Sequence, residues 1–214
     1  MNPILHFSQA KEQAIVDNSG HVMIDIETLG VVEKSHILSI GYCQFDPFKG
    51  PLTTATGAKF NPRQLGLGLS NQHRRLGVST LEWWFKADED AMDEAFFPAV
   101  QYDILDALMV LVSDLSLLPY HGYTIWANGV KFDITILEDA FKQLNIAIPW
   151  SFRQVADVRS LTALVDRDFV QNEATIAAKS NSVETGYTNL SHKAIDDALW
   201  QAHFIAQAIK YLKG

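Results

Sequence analysis

The chain has 214 residues and 48% apolar content, enough to bury a full hydrophobic core in one compact domain; this excludes collagen-like, low-complexity and wholly disordered classes. Seventeen basic against twenty-five acidic side chains leave a formal charge of −8, which argues against a protein that coats long nucleic acid through phosphate neutralisation alone. No apolar run approaches the ~18 residues needed to span a bilayer, and the N-terminus lacks the basic start and apolar centre of a signal peptide, so a soluble, cytoplasmic protein is expected.

Residues 1–20 show only a weak helical pattern and read as an N-terminal extension to a domain covering 21–214. His21 to Glu27 (HVMIDIE) is an apolar run that abruptly admits two acids, which suits a central strand whose end emerges into a cleft. His36 to Phe45 continues the sheet until Asp46-Pro47 ends it, and the lone Cys43 within it reads as a buried structural thiol. A third strand is expected within Leu52 to Phe60. Between Ser79 and Leu118 the pattern is helical, with Ser79 or Thr80 as N-cap and Pro98 dividing it. Thr124 to Ala127 reads as a buried strand, and Asn128-Gly129 turns it into a helix striped by Phe132, Ile136, Leu137, Ala140, Phe141 and Leu144. A small element at Val155 to Asp157 and a helix to about Val165 follow. Residues 168–190 are polar and read as a mobile loop, after which Ser191 caps a final helix.

Asp25 and Glu27 are two apart on a strand, so both side chains leave the same face and can share a cation. Neighbouring carboxylates near a core repel one another unless a cation or a proton intervenes. Asp133 opens its helix, and His192 and Asp197 stand five apart at the start of the last one. Singly, each has an ordinary explanation: a solvated strand end, an acid favoured by the helix dipole, a capping-region His, a surface Asp.

Together, DIETLG (Asp25 to Gly30), NGVKFD (Asn128 to Asp133) and HKAIDDA (His192 to Ala198) resemble, in order and spacing, the three motifs of the DEDDh, or DnaQ-like, exonucleases. Within that superfamily the chain is most similar to the phage DexA exonucleases and the mycobacterial-type exoribonucleases, which likewise carry a double Trp (Trp83-Trp84), a Pro-Trp (Pro149-Trp150) and an Asp-x-Arg (Asp157 to Arg159). The likeness covers about residues 21–210. It implies an α/β, RNase H-like fold with a mixed five-stranded sheet flanked by helices, two Mg²⁺ or Mn²⁺ ions, release of nucleoside 5′-monophosphates, and a phage or prophage setting. It also selects Asp197 over Asp196 as the ligand, leaving Asp196 to face solvent or support its neighbour.

The resulting expectation is a 3′-to-5′ exonuclease. Asp25 bridges two ions about 3.5–4 Å apart, Glu27 and Asp197 complete one side, Asp133 acts through a water, and His192 is the general base. Carboxylate oxygens with no Cys and little His suit Mg²⁺ or Mn²⁺ better than zinc. His192 should be poorly placed until a nucleotide binds. One of Trp83 and Trp84 should pack inward while the other stacks on the terminal base; Phe132 and Leu29 are candidate wedges, and Thr28 and Asn128 complete the substrate-binding set. Arg159, ahead of Arg74, Arg75, Lys131 and Arg153, is the first candidate for a phosphate contact. The expected partner is a single-stranded 3′ end, with no membrane and with a homodimer as the assembly. Two competing readings are a non-catalytic nucleic-acid-binding domain of the same fold and a metal-dependent hydrolase of small nucleotides.

Overall fold

The computed structural model of the chain describes residues 20–119 and 122–214. The N-terminal extension expected over residues 1–20 lies outside the described residues, except that Gly20 already opens the first strand. Strands β1 (Gly20–Thr28) and β2 (Ile37–Asp46) pair antiparallel along their length. Two short strands, β3 (Gly50–Pro51) and β4 (Arg63–Gly66), lie one after the other along the far edge of β2. On the opposite side of β1, β5 (Tyr123–Ala127) runs parallel to it, and β6 (Val155–Asp157) runs parallel to β5. The mixed sheet therefore has six strands in five positions, because β3 and β4 share one.

Eight α-helices among the described residues surround it: α1 (Val78–Trp84), α2 (Glu89–Phe96), α3 (Ile104–Leu115), α4 (Asp133–Gln143), α5 (Val158–Thr162), α6 (Arg167–Ser180), α7 (Ser182–Thr185) and α8 (Ala194–Lys213). Alternation along β1 sends Val22, Ile24 and Ile26 to one face, where they pack with Leu108 and Leu111 of α3 and Leu137 and Phe141 of α4. Met23 points the other way and joins Cys43, Val170 and Ala174 of α6, and Ala198, Ala202 and Ile205 of α8. With each buried Leu, Ile or Phe contributing about 1.5–3 kcal/mol, this two-sided core can offset several buried acids. Asp25 and Glu27 continue the Met23 row beyond its apolar part.

Four local expectations are corrected. Leu52 to Phe60 holds no strand, because Thr53 and Thr56 close a 3-10 turn that Gly57 ends in the left-handed region. Residues 168–190 are mostly helical: Asp166 caps α6 by accepting from the Phe169 N–H, and Val170, Ala174 and Ala178 form a buried stripe. That stripe is made largely of alanines, so the polar outer face dominates the composition. The last helix begins at Ala194 with Lys193 as its cap residue, leaving Ser191 exposed outside it. Helix α1 starts at Val78 after Gly77, one or two residues before the expected cap. Pro98 does follow the end of α2, and Cys43 is fully buried, its thiol pushed up by burial.

Candidate active site

The site forms where the acid-bearing end of β1 meets the first turns of α4 and α8. β5 and β1 are parallel neighbours, so the Asn128-Gly129 turn, with Gly129 at φ 119°, delivers the start of α4 beside β1. Asp133 is 3% exposed there and its Oδ1 accepts from the Ile26 N–H at 3.2 Å. An acid suits this first turn because the helix dipole favours negative charge.

Helix α8 reaches β1 across β2, over a glycine. Gly41 is the register partner of Asp25, and a Cβ at Gly41 would lie 2.1 Å from the Ala194 carbonyl carbon and 2.2 Å from the Ile195 nitrogen. Only the missing side chain lets the helix backbone rest on the strand. The Ile195 N–H donates to Gln64 Oε1 of β4 at 2.9 Å, which fixes the helix end there. One turn of α8 then presents Asp197, and the next presents Gln201, whose Nε2 donates to Asp25 Oδ1 at 2.7 Å. His192, just before the helix, has φ 62°; its N–H donates to Asp197 Oδ2 at 3.2 Å and its Nδ1 lies 3.9 Å from Glu27 Oε1. All five expected residues, Asp25, Glu27, Asp133, His192 and Asp197, thus belong to one end of the sheet.

No Lys or Arg forms an ion pair with these acids among the described residues; Lys49, Arg63 and Arg74 pair with Asp46, Asp114 and Asp139. Burial first, and then the charges of Asp133, Asp197 and Glu27, hold Asp25 well above the usual carboxylate range. Glu27 is raised for the same reasons, with burial again first and Asp197 and Asp133 next. Burial lifts Asp133 to about 7 and Asp197 to about 6. Four oxygen-donor side chains with no Lys or Arg ion-paired to them among the described residues fit a divalent cation, which would reverse this local field. His192 is lowered from the ordinary 6.5 by burial, which keeps its imidazole neutral near neutral pH.

Asp196 does not face solvent. It is 1% exposed, and its Oδ2 accepts from the Thr188 N–H (3.0 Å), the Thr188 hydroxyl (2.6 Å) and the Leu190 N–H (2.9 Å). These bonds pin the segment that leads into His192. Asp196→Ala removes all three, and kcat at this site is expected to fall about tenfold or more with KM little changed, since a displacement of ~1 Å can cost 10²-fold. Unchanged kcat in steady-state assays would contradict that role.

A cavity of about 360 Å³ adjoins Glu27 and is lined by Thr28, Thr80, Trp83, Trp84 and Phe132 among others. Trp84 is the inward indole, its Nε1 donating to the Thr28 carbonyl at 2.9 Å. Trp83 is 45% exposed and meets the His192 ring edge-on, with centroids 4.7 Å apart. Leu29 is corrected: it is fully buried against Leu38, Trp84 and Ala95 and has no free face with which to wedge a base. Asn128 and Arg159 line a second cavity of about 580 Å³ together with Arg167 and Gln171. The Arg159 guanidinium lies against Gly129, and its charge acts on Asp133. Arg74 is no phosphate ligand, being committed to Asp139, Gln143 and the carbonyls of Glu33, Ser35 and Ile136. The amino-acid sequence pointed to Asp196 only as facing solvent or supporting its neighbour, and did not point to Gly41, Gln201 or Arg167; a glycine inside an apolar strand and a Gln four residues after Asp197 were the available signals.

Residues 20–209 match the family model described as the 3′-5′ exoribonuclease Rv2179c-like domain. The exodeoxyribonuclease of Enterobacteria phage T4 is 23% identical over 128 residues, 58% of this chain and 56% of that protein, so the chain spans little more than half of this curated relative. Among solved structures, Pop2p of S. pombe in its Mg²⁺- and Mn²⁺-bound form aligns with a TM-score of 0.58 at 15% identity, over 95% of this chain and 88% of Pop2p. E. coli Exonuclease I in complex with a dA16 oligonucleotide aligns with a TM-score of 0.58 at 14% identity, over 90% of this chain and 41% of its own. At such identities the structural likeness speaks for the fold.

Proposed function

The chain belongs to the 3′-5′ exoribonuclease Rv2179c-like domain family, and from that premise we propose that it hydrolyses single-stranded nucleic acid from the 3′ end to nucleoside 5′-monophosphates. The observation that carries this reading is the meeting of Asp25, Glu27, Asp133, Asp197 and His192 at one end of the sheet with no Lys or Arg ion-paired to them among the described residues. The four carboxylates would hold two Mg²⁺ or Mn²⁺ ions, which supply Lewis acidity toward the attacking water and the leaving 3′-oxygen. Neutral His192 takes the proton from that water. Gln201 orients Asp25, and the segment held by Asp196 carries His192 to its place. In the apolar cavity, Trp83 offers a stacking face that any terminal base can use, with Phe132 and Thr28 beside it. Arg159 and Arg167 offer positive charge to the phosphodiester backbone on the other side.

Mg²⁺-dependent loss of a 3′ label from single-stranded RNA, single-stranded DNA and duplexes tests this. Single strands should lose the label as 5′-monophosphates, and EDTA should stop the reaction. Binding without cleavage would favour the non-catalytic domain, and cleavage of mononucleotides alone would favour the small-nucleotide hydrolase. The pH dependence has a defined sign. Cations bind the ionised carboxylates, so at limiting Mg²⁺ activity should fall as pH drops through about 7 and about 6, where Asp133 and Asp197 take up protons. At saturating Mg²⁺ the remaining acid limb belongs to His192 and should lie below 6.5.

A further inference from the structure

A base waiting for its substrate could turn toward solvent, yet His192 points into the acid cluster. One donor atom each from Glu27, His192 and Asp197 lie within 4.8 Å of one another, and His192 Nδ1 and Glu27 Oε1 are 3.9 Å apart. The residue is held from two further directions. Its backbone N–H donates to Asp197 Oδ2, and Trp83 abuts its ring edge-on. Its φ of 62° lies in a region that residues with a β-carbon seldom adopt, so the chain pays a conformational cost to keep the ring there.

Two carboxylates and one imidazole make the donor set of a three-ligand zinc centre with the fourth position open, whereas Mg²⁺ draws on oxygen alone. A tetrahedral ion with bonds of ~2.0–2.2 Å needs its donors about 3.4 Å apart, so closure asks for movements on the order of 1 Å. The His192 side chain, 42% exposed, has room to make them. We propose that Glu27, His192 and Asp197 form a capture site for an imidazole-preferring divalent cation of the zinc class. In the absence of nucleic acid that cation takes His192 as a ligand and so withdraws it from proton transfer. The inference rests on the reading of the cluster as a metal centre. It adds that the same imidazole has two exclusive uses, selected by which ion is present. Zinc lies above Mn²⁺ in the general affinity order, and the imidazole widens that gap.

The test is calorimetric titration of the metal-free, nucleic-acid-free protein with ZnCl₂ and, separately, MnCl₂, for wild type, His192→Ala and His192→Asn. Both variants should bind Zn²⁺ at least about tenfold more weakly while Mn²⁺ affinity stays within about threefold. In the wild type, ¹⁵N spectra of the imidazole should show the His192 resonances moved by Zn²⁺ and unmoved by Mg²⁺. Equal Zn²⁺ affinity in all three proteins, or a His192 resonance that Zn²⁺ leaves in place, overturns the capture site and leaves the Mg²⁺/Mn²⁺ reading standing. A wild type that binds neither Mn²⁺ nor Mg²⁺ would overturn both.

Discussion

Asp25→Asn is expected to reduce hydrolysis by on the order of 10³-fold or more and, in the same protein, to raise the melting temperature measured without metal. The two effects share one cause. Asp25 is pushed well above the usual carboxylate range by burial and then by the charges of Asp133, Asp197 and Glu27, so at neutral pH the folded chain confines mutually repelling groups. Asn keeps the Oδ1 that accepts from Gln201, its amide can donate to a neighbouring carboxylate, and it brings no group whose ionisation the surroundings resist. Relief of about 1–2 kcal/mol corresponds to a rise of ~2–8 °C for a domain of this size. The pH window follows from the raised acids. Asp133 at about 7 and Asp197 at about 6 both lie above the ordinary 3.8, so the folded state retains protons that the unfolded chain releases. The stability these groups contribute is fully present below pH 3.8 and is lost as pH rises through about 6 and about 7. The advantage of Asp25→Asn over wild type should therefore be greatest above pH 7. Added Mg²⁺ or Mn²⁺ should stabilise the wild type and do far less for the variant. Differential scanning calorimetry with and without cation reads all of this; a variant that melts below the metal-free wild type, or that retains a tenth of the activity, contradicts the assignment of Asp25.

Gly41→Ala should disable the proposed hydrolysis without replacing a single proposed ligand. The added methyl would sit 2.1 Å from the Ala194 carbonyl carbon, a separation that no rotamer change can relieve because a Cβ is fixed by its own backbone and the atom it meets is backbone. The start of α8 must lift away, and Asp197, His192 and Gln201 move with it. Overpacking of this kind costs about 1–3 kcal/mol of stability, and misplacement of catalytic groups by ~1 Å costs about 10²-fold in rate. The expected protein is folded by circular dichroism, melts lower than wild type, binds Mn²⁺ more weakly and turns over about a hundredfold more slowly. Wild-type kinetics in Gly41→Ala would mean that α8 does not depend on this contact for its position.

The amino-acid sequence alone marked the strands at 20–28, 37–46 and 123–127 to within about a residue or two, a small element at 155–157 that is a strand, and the order of the acids along the chain. It could do so because side-chain alternation on a strand and the stripe on a helix are local consequences of backbone geometry. Asp25 and Glu27 share a face for that reason, and Asp133 opens a helix because Asn128-Gly129 turns the chain just before it. Where the local signal was weak, the reading failed: the alanine stripe of α6 was lost beneath its polar outer face, and the short β3 and β4 carry no period at all. Which surfaces meet was settled by the packed fold alone. Gly41 gains its meaning from a helix more than 150 residues later, Leu29 disappears under Trp84, Asp196 turns inward to hold Thr188 and Leu190, and His192 comes within reach of Glu27. Close approach between distant segments depends on packing summed over the whole core, and no window of neighbouring residues contains that sum.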